Sequence, residues 1–471
     1  MPIKKNEEYG FTVALGLEDE VVTLDPITIQ ELYFIEDIFS FCMTGKIIFQ
    51  DPFGMTEFGP LTGNERLLIA YGTTTERRLV FDIIKMDKIT MASPTKPIDG
   101  IQICLYFVDV TFNRFTKNRY SKSWKNAKIT DILENVLFKM VEDEGPAEKI
   151  LLNEGGRYDK TDQRIDLTTP YWTPMTIVQY LNKKARPKDM LTDGKLLGGY
   201  LYYNNTRWPG NTSKNVDNNF TSAWTSINNL FSYPANSDNE VWMDQNDFVF
   251  SNAPSPTSQD TANSEGDMLN VDGPTYVNKI LDWTYGGIDY INTRKLQGAH
   301  VLGYNFDGKQ LIDKTFKYSK KNDTNNTDYG LADDATILGR RTLFTDISEF
   351  NSEIILTSLT SDDAIKDKYF YEWLRRYSKQ QVLSVIVRGW EERFAGRMVN
   401  IIWPSTDKKD YNGNKNWIGV YVTKSVTHTW GIKNGYKQRL VLLKNGYYDS
   451  NKDSLIPSLH RNMNSLKPIG S

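Results

Sequence analysis

The sequence predicts an α+β chain that is mainly β, with strand-rich regions toward both ends and an α/β module and long loop insertions between them. Three observations predict it. Aromatic residues make up 13% of the 471 residues, a level that favours strands and close packing. Residues 41–72 hold two alternating runs, Lys46 to Gln50 and Arg66 to Tyr71, around a connector punctuated by Asp51-Pro52-Phe53-Gly54 and Thr62-Gly63-Asn64-Glu65, the chemistry of a barrel corner. Two patterns of helical period, near residues 129–141 and 174–185, fall between the strand-rich regions.

Taken in order, the first strands are expected at Phe11 to Leu15, Leu32 to Phe39, Lys46 to Gln50, Arg66 to Tyr71, Arg78 to Met91 and Ile101 to Val110. Six strands suffice to close a small barrel. Val80, Asp82, Ile84, Met86 and Lys88 alternate with Phe81, Ile83, Lys85 and Asp87, which suits a long antiparallel strand paired with Ile101 to Thr111 across a turn at Pro94 to Gly100. A helix follows through Val141, with Ile132, Leu133, Val136, Leu137 and Met140 on one face, Thr130 or Asp131 near its cap and Gly145-Pro146 as its stop. A second helix begins at Pro174, a good first-turn residue, buries Ile177, Val178, Tyr180, Leu181 and Ala185, and stops at Pro187.

Residues 204–270 are crowded with Asn, Ser, Thr, Pro and Asp yet carry Trp208, Trp224 and Trp242, a mixture that predicts a long ordered loop anchored by its aromatics. Residues 320–334 are polar without such anchors. After an amphipathic helix at Ala364 to Tyr377, strands return at Gln381 to Val387, Arg397 to Trp403, Trp417 to Trp430 and Tyr436 to Lys444, and they read as the other half of a barrel. The expected division is a first β-barrel at 1–112, an α/β module at 113–203, an insertion at 204–270, a second β-barrel with a helical insertion at 271–450, and a loose tail at 451–471.

A formal charge of −3 gives no basic field for holding nucleic acid through its phosphates. No run approaches the ~18 apolar residues of a membrane span, and the N-terminus lacks a signal-peptide core, so a chain made and kept in the cytosol is expected. Cys42 and Cys104 lie in apolar runs and are expected to be reduced core thiols. The Asn204, Asn211 and Asn219 sequons then carry no glycan.

Few motifs carry chemistry. Gly303-Tyr304-Asn305-Phe306-Asp307-Gly308-Lys309-Gln310 comes within one residue of a phosphate-binding loop, but Gln310 stands where a hydroxyl must ligate magnesium and a strand-like run follows. A hairpin turn at Asp307-Gly308 is the expectation. His300, His428 and His460 show no ligand spacing, so no metal, catalytic or cofactor residues are assigned, and His428 is expected to be a strand histidine bonded to a neighbour. Glu36-Asp37 and Glu391-Glu392 could supply a carboxylate pair for glycan cleavage, yet adjacent strand residues face opposite ways, so solvated or interface charges are expected. Glu65, Arg66, Trp224 and Trp242 are the interface candidates, with Glu65 divided between bridging subunits and bonding amides of its own turn.

Several segments in order resemble the central hub proteins of phage tail baseplates, a family that includes hub-like parts of tail-associated lysins and of type VI secretion spike proteins. They are Glu36-Asp37-Ile38-Phe39, Thr44 to Asp51, Pro60 to Leu67, Leu105-Tyr106-Phe107-Val108, Asn113, Tyr120 to Trp124 and the helix Ile129 to Leu137. Near the end, Val387-Arg388-Gly389, Gly396 to Ile401 and Gly419 to His428 complete the series. The resemblance implies two tube-like antiparallel β-barrel domains per chain and a non-enzymatic homotrimer. Its pseudo-sixfold ring would match a tail tube protein on one face and a spike or cell-puncturing protein on the other, beside other baseplate proteins. Viral DNA would pass through the lumen without specific binding, and the location would be the virion tail. A carbohydrate-binding adhesin using the tryptophans of 204–270, and a glycan hydrolase, are the alternatives.

Overall fold

A computed structural model of the chain describes residues 10–16, 21–51, 63–72, 76–90, 101–141, 158–185, 200–206, 221–226, 248–249, 280–288, 298–305, 310–317, 354–357, 381–391, 393–402, 419–431 and 435–444. The expected turns at Pro52-Phe53-Gly54 and Pro94 to Gly100, the helix at 364–377, Trp208, Trp242, Glu392, His460, and the 320–334 and 451–471 stretches lie outside them. The first strands are β1 (Phe11–Gly16), β2 (Val21–Leu24), β3 (Ile29–Asp37), β4 (Thr44–Asp51), β5 (Arg66–Tyr71), β6 (Arg77–Thr90) and β7 (Ile101–Asp109). A mixed module follows with α1 (Phe112–Lys117), β8 (Tyr120–Lys128), α2 (Ile129–Val136), β9 (Arg164–Trp172), α3 (Pro174–Lys184), β10 (Tyr200–Asn205) and β11 (Thr221–Ser226). The remainder is β12 (Phe248–Val249), β13 (Ile280–Ile288), β14 (Gly298–Asn305), β15 (Gln310–Lys317), β16 (Ile354–Thr357), β17 (Gln381–Arg388), β18 (Met398–Ile402), β19 (Gly419–Gly431) and β20 (Gly435–Lys444).

The protein is mainly β, as the composition predicts, and among the described residues the strands lie in large antiparallel sheets with no closed barrel. One 13-stranded sheet runs β13-β17-β20-β19-β3-β4-β7-β6-β5-β1-β2, with β18 on β19 and β12 on β18. The join is β3 against β19, Leu32 to Asp37 opposite Trp430 to Ser425. Every ladder on the main path is antiparallel. The connector between β4 and β5 is no hairpin, since β7 and β6 lie between those strands. The open ladder nevertheless curls. Phe11 on β1 and Tyr71 on β5 meet Trp430 on β19 at ring separations of 6.3 and 5.1 Å, and Tyr71 meets Phe34 on β3 at 5.8 Å. Side chains therefore bridge what no ladder among the described residues closes, and a single core holds Val13, Leu32, Ile47, Ile69, Phe81, Leu105 and Trp430.

The same strand order occurs twice. β3-β4-β7-β6-β5 in the first half corresponds to β13-β17-β20-β19-β18 in the second, and each set is used in the same chain order. Strand lengths agree, at 9 and 9 residues for β3 and β13, 8 and 8 for β4 and β17, 14 and 13 for β6 and β19. Two of the irregularities agree too, while a further shift in β13 after Tyr285 has no counterpart in β3. In β3 the pairing skips Gln30 between Ile29 and Glu31, and in β13 it skips Leu281 between Ile280 and Asp282. In β6 it skips Ile84 after the position where Arg66 opens the β5 ladder opposite Asp82; in β19 it skips Lys424 after Met398 opens the β18 ladder opposite Val422. Bulges re-aim strands and increase local twist, so coincident bulges mark equivalent geometry. The second set has its own core of Ile280, Leu383, Val385, Val387, Val399, Tyr421, Val426, Leu440 and Leu442.

The mixed module buries Ile129, Ile132, Leu133, Val136, Ile177, Val178, Leu181, Tyr200, Tyr202 and Trp224 together. α3 starts as predicted, with Pro174 in the first turn and the Thr173 hydroxyl accepting from the Thr176 amide at 3.2 Å. α2 is not capped by Thr130 or Asp131. Lys128 precedes it without a side-chain cap, its ammonium having no acceptor to offer, and the buried Thr130 hydroxyl turns to the Thr161 backbone, donating at 3.0 Å and accepting at 2.9 Å. The helix widens into a π-type turn at Leu137–Val141. The boundary placed at residue 203 falls inside β10, whose hairpin with β11 packs under this module. Asn305 pairs with Gln310, so β14 and β15 form the hairpin expected in place of a phosphate loop; Phe306 to Lys309 lie outside the described residues. Cys42 and Cys104 are free and buried, Cys104 on β7 and Cys42 in the β3–β4 connection. No described helix is long and apolar enough to cross a membrane.

A buried polar junction as candidate functional site

The join between the two strand sets is also where the polar chemistry concentrates. Glu36, near the end of β3, is fully buried. Its Oε2 accepts from the Thr206 amide at 3.0 Å and the Ala395 amide at 3.1 Å, and its Oε1 accepts from the Thr206 hydroxyl at 2.8 Å and from His428 Nε2 at 2.7 Å. With the Nε2 proton directed at the carboxylate, His428 Nδ1 accepts from the Tyr436 hydroxyl at 2.7 Å. Gln438 continues the chain, donating to Tyr436 at 3.0 Å and to the Trp390 carbonyl at 3.0 Å, and accepting from Trp390 N and Arg393 Nη1, both at 3.1 Å. Arg393 also donates to the Arg388 carbonyl at 2.6 Å. A strand, the segment after β10, the loop after β17 and the β19–β20 hairpin are thus held by one network.

Aromatic rings seal it. His428 stacks on Phe34 with 4.2 Å between centroids, and Trp430 lies parallel to Tyr436 at 4.8 Å. Arg77, Arg393, Glu391, His428 and Gln438 are all buried here or beside it. Burial pushes the Tyr71 and Tyr436 phenols well up; Glu36 and Glu391 add to the effect on both, while Arg77 offsets it at Tyr71 and Arg393 at Tyr436. Buried charges of both signs in so small a volume cost desolvation, which their mutual pairing and hydrogen bonds offset. The result is a tie with strict geometry.

A second buried network adjoins it through β10. Asp109, at the end of β7, accepts from Met43 N at 2.7 Å, Thr111 N at 3.0 Å, Thr111 Oγ1 at 2.5 Å and Asn204 Nδ2 at 3.1 Å. Burial raises its carboxyl above the ordinary range, and these hydrogen bonds pull it back. Asn204 Oδ1 accepts from Ser222 at 2.7 Å, and Asn205 Nδ2 donates to the Ala395 carbonyl at 3.0 Å. Asn204, Asn205 and Thr206 therefore each reach a different part of the protein, the first module, the loop at 395 and Glu36.

The expected site residues land apart from this junction. Glu65 is buried and accepts from the Gly63 amide of its own turn at 2.8 Å. Arg66 is exposed, with Nε 3.5 Å from Asp82. Trp224 is fully buried, donates to Asn182 at 2.8 Å and lies 4.3 Å from the Tyr200 ring. No face of Trp224 is open to a sugar. Trp242 lies outside the described residues. His428 is the bonded strand histidine expected from its alternating run, whereas Glu36 is neither solvated nor at the surface: it faces the core while Asp37 turns out to Lys424 at 3.1 Å. Glu391 is likewise buried. Sequence reasoning missed Asn204, Asn205 and Thr206; the signal was three hydrogen-bonding residues directly after the apolar run Tyr200-Leu201-Tyr202-Tyr203. The junction can lock elements together, but it offers no exposed nucleophile, and among the described residues no three His, Cys, Asp or Glu side chains cluster as a metal site would need.

No protein family model matches the chain, and no curated protein matches it in sequence. Solved structures do align with it. The 43 kDa tail protein of prophage MuSo2 from Shewanella oneidensis aligns at 9% identity over 92% of this chain and 98% of that one, with a TM-score of 0.48. A tail protein from Neisseria meningitidis MC58 aligns at 9% identity over 93% and 97%, also at 0.48. A component of the type VI secretion system of E. coli, described as structurally similar to T4 bacteriophage tail proteins, aligns at 10% identity over 94% and 80%, at 0.42.

Proposed function

We propose that this chain is a structural, non-enzymatic protein of a phage-type tail, a homotrimeric baseplate hub in which each copy supplies two tube-like modules. The observation that carries the reading is the repeated strand order, β3-β4-β7-β6-β5 and β13-β17-β20-β19-β18, with its coincident bulges. Two equivalent modules per chain and three chains make six nearly equal positions around an axis that remains threefold. That is the geometry needed to join a sixfold tail tube to a threefold spike, and the ordered resemblance from Glu36 to His428 points the same way. The work is done by shape. The buried junction around Glu36 and His428 fixes the angle between the two modules of one chain, so that neighbouring positions in the ring match.

In this reading the lumen is a passage for DNA whose walls do not grip phosphate, in keeping with a formal charge of −3. Arg66, exposed at the start of β5, is offered to a neighbouring tail protein. The mixed module and the β15-β14-β16 sheet stand outside the ring, where other baseplate proteins attach. Mass measurement of the purified protein, alone and mixed with its tail tube protein, tests the proposal. A three-chain species that binds tube rings is expected, and chains that stay single under both conditions would refute it.

A further inference from the structure

β8 and β9 form a two-stranded sheet apart from the others. Its inner face packs Trp124 and Leu167 against the mixed module, while Ser121, Ser123 and Lys125 on β8 and Asp166, Thr168 and Tyr171 on β9 are exposed. Two bulges bracket that outer face. Pro170 and Tyr171 stand opposite Ser121 alone, and Lys125 and Asn126 stand opposite Asp166 alone. Each bulge holds a non-glycine residue at positive φ, Tyr171 at 51° and Asn126 at 49°, and among the described residues there are no others. A left-handed backbone is costly for a bulky residue, and bulges re-aim the side chains they carry. Here the Tyr171 amide donates to Ser121 Oγ at 3.2 Å, and the residue stands 72% exposed.

The same region carries an uneven charge. Residues 112–128 hold Arg114, Lys117, Arg119, Lys122, Lys125 and Lys128 without one acidic residue, in a chain whose formal charge is −3. Lys128 pairs with Asp162 at 2.9 Å, Lys122 donates to Asn135 at 2.7 Å, and Arg114 is half-buried. Lys117, Arg119 and Lys125 are exposed and meet no acceptor among the described residues. The polar groups between them are already engaged: Ser123 and Thr168 bond each other at 3.1 Å, and Asp166 accepts from the Asn126 amide at 2.6 Å. The face therefore offers cations and one aromatic ring.

We infer that this face, from Lys117 to Lys125 with Tyr171, docks an acidic segment of a partner protein. The inference rests on the reading given above, in which other baseplate proteins attach to the mixed module, and names the place on that module and the chemistry. Exposed cations without partners attract carboxylates, and tyrosine and arginine are the residue types that carry protein interfaces. A polynucleotide fits less well, because Asp166 lies on the same face and few cations are left for phosphates. A neutral sugar fits less well because the hydroxyls that would hold it are bonded to one another. Arg119 and Lys125 lie about 20 Å apart along the strand direction, a span that a short extended segment covers.

Fluorescence anisotropy on the full chain, with a labelled peptide of ten glutamates as the probe, tests the proposal. The peptide is expected to bind at low salt and to weaken as salt rises. Lys117→Ser with Arg119→Ser and Lys125→Ser is expected to weaken binding about tenfold, as the loss of three exposed ion pairs would, and Tyr171→Ala about threefold or more. Lys183→Ser with Lys184→Ser and Arg439→Ser removes the same charge from elsewhere and is expected to leave binding within about twofold. Equal weakening by both triple variants would reduce the effect to net charge and overturn the proposal. No binding by the unaltered chain, or tighter binding of a ten-nucleotide oligothymidylate, would overturn it too. The sequence also carries Glu142-Asp143-Glu144. A rise of about tenfold in peptide affinity on Glu142→Gln with Asp143→Asn and Glu144→Gln would assign the cations to the chain's own carboxylates and overturn the partner. The mass of each sample keeps this inference apart from the hub reading: a three-chain species that fails to bind the peptide overturns the inference and leaves the hub standing, whereas single chains refute the hub while the peptide result still decides the docking face.

Discussion

Glu36 receives four hydrogen bonds from three residues that are far from it in sequence. In a site closed to water, Glu36→Ala strands the Thr206, Ala395 and His428 donors, and removal of one partner from such a network costs ~3–5 kcal/mol. Glu36→Gln keeps an acceptor oxygen and is expected to cost less. Urea denaturation of the two variants checks the order, and a loss for Glu36→Ala below about 1 kcal/mol would show that the carboxylate does not tie the strand sets together. Asp109 gives a pH-dependent counterpart. Its carboxyl is raised by burial, so the folded state holds the proton more tightly than the unfolded chain. Between the ordinary carboxylate value of 3.8 and the raised folded value, stability then falls as pH rises. Asp109→Asn cannot titrate and turns an amide toward the Met43 and Asn204 donors, an expected loss of ~1–3 kcal/mol. The gap between wild type and variant should narrow as pH is raised from about 4; urea midpoints across pH 4–7 measure it, and a gap that widens contradicts the account.

At the scale of elements, alternation carried most of the information. Strands β4, β5, β17, β19 and β20 lie within two residues of where the sequence places them, and in β4 and β17 every second residue is buried, the pattern by which alternation is read. α3 was equally legible from Pro174 and its apolar spacing. If the Thr173 hydroxyl caps it as described, Thr173→Ala should lower the stability of the mixed module by ~1 kcal/mol, read as faster hydrogen exchange in residues 174–184, with unchanged exchange as the contrary result. β10 was not legible. All six of its residues are buried, so it has no alternating face, and its polar end, Asn204-Asn205, reads as the start of a loop until its partners Asp109 and Ala395 are in view. Glu36 was misread for the same reason: strand geometry says that Glu36 and Asp37 diverge, but not which of them meets a histidine 392 residues away. Long-range partners decide whether a polar residue is buried, and a local pattern does not contain them.

For the whole molecule, the sequence indicated strand-rich regions at both ends, while their continuity was hidden, since a ladder between β3 and β19 depends on pairing across almost the entire chain. Among the described residues that ladder joins the two strand sets into one curling sheet containing a repeat. The central claim is that the two repeats of one chain act as two near-equal positions in a ring. An averaged electron-microscopy view of the purified assembly down its axis tests this most directly. The account predicts three outer lobes around six inner densities of nearly equal size and spacing; three inner densities, or six of two plainly different shapes, would contradict it.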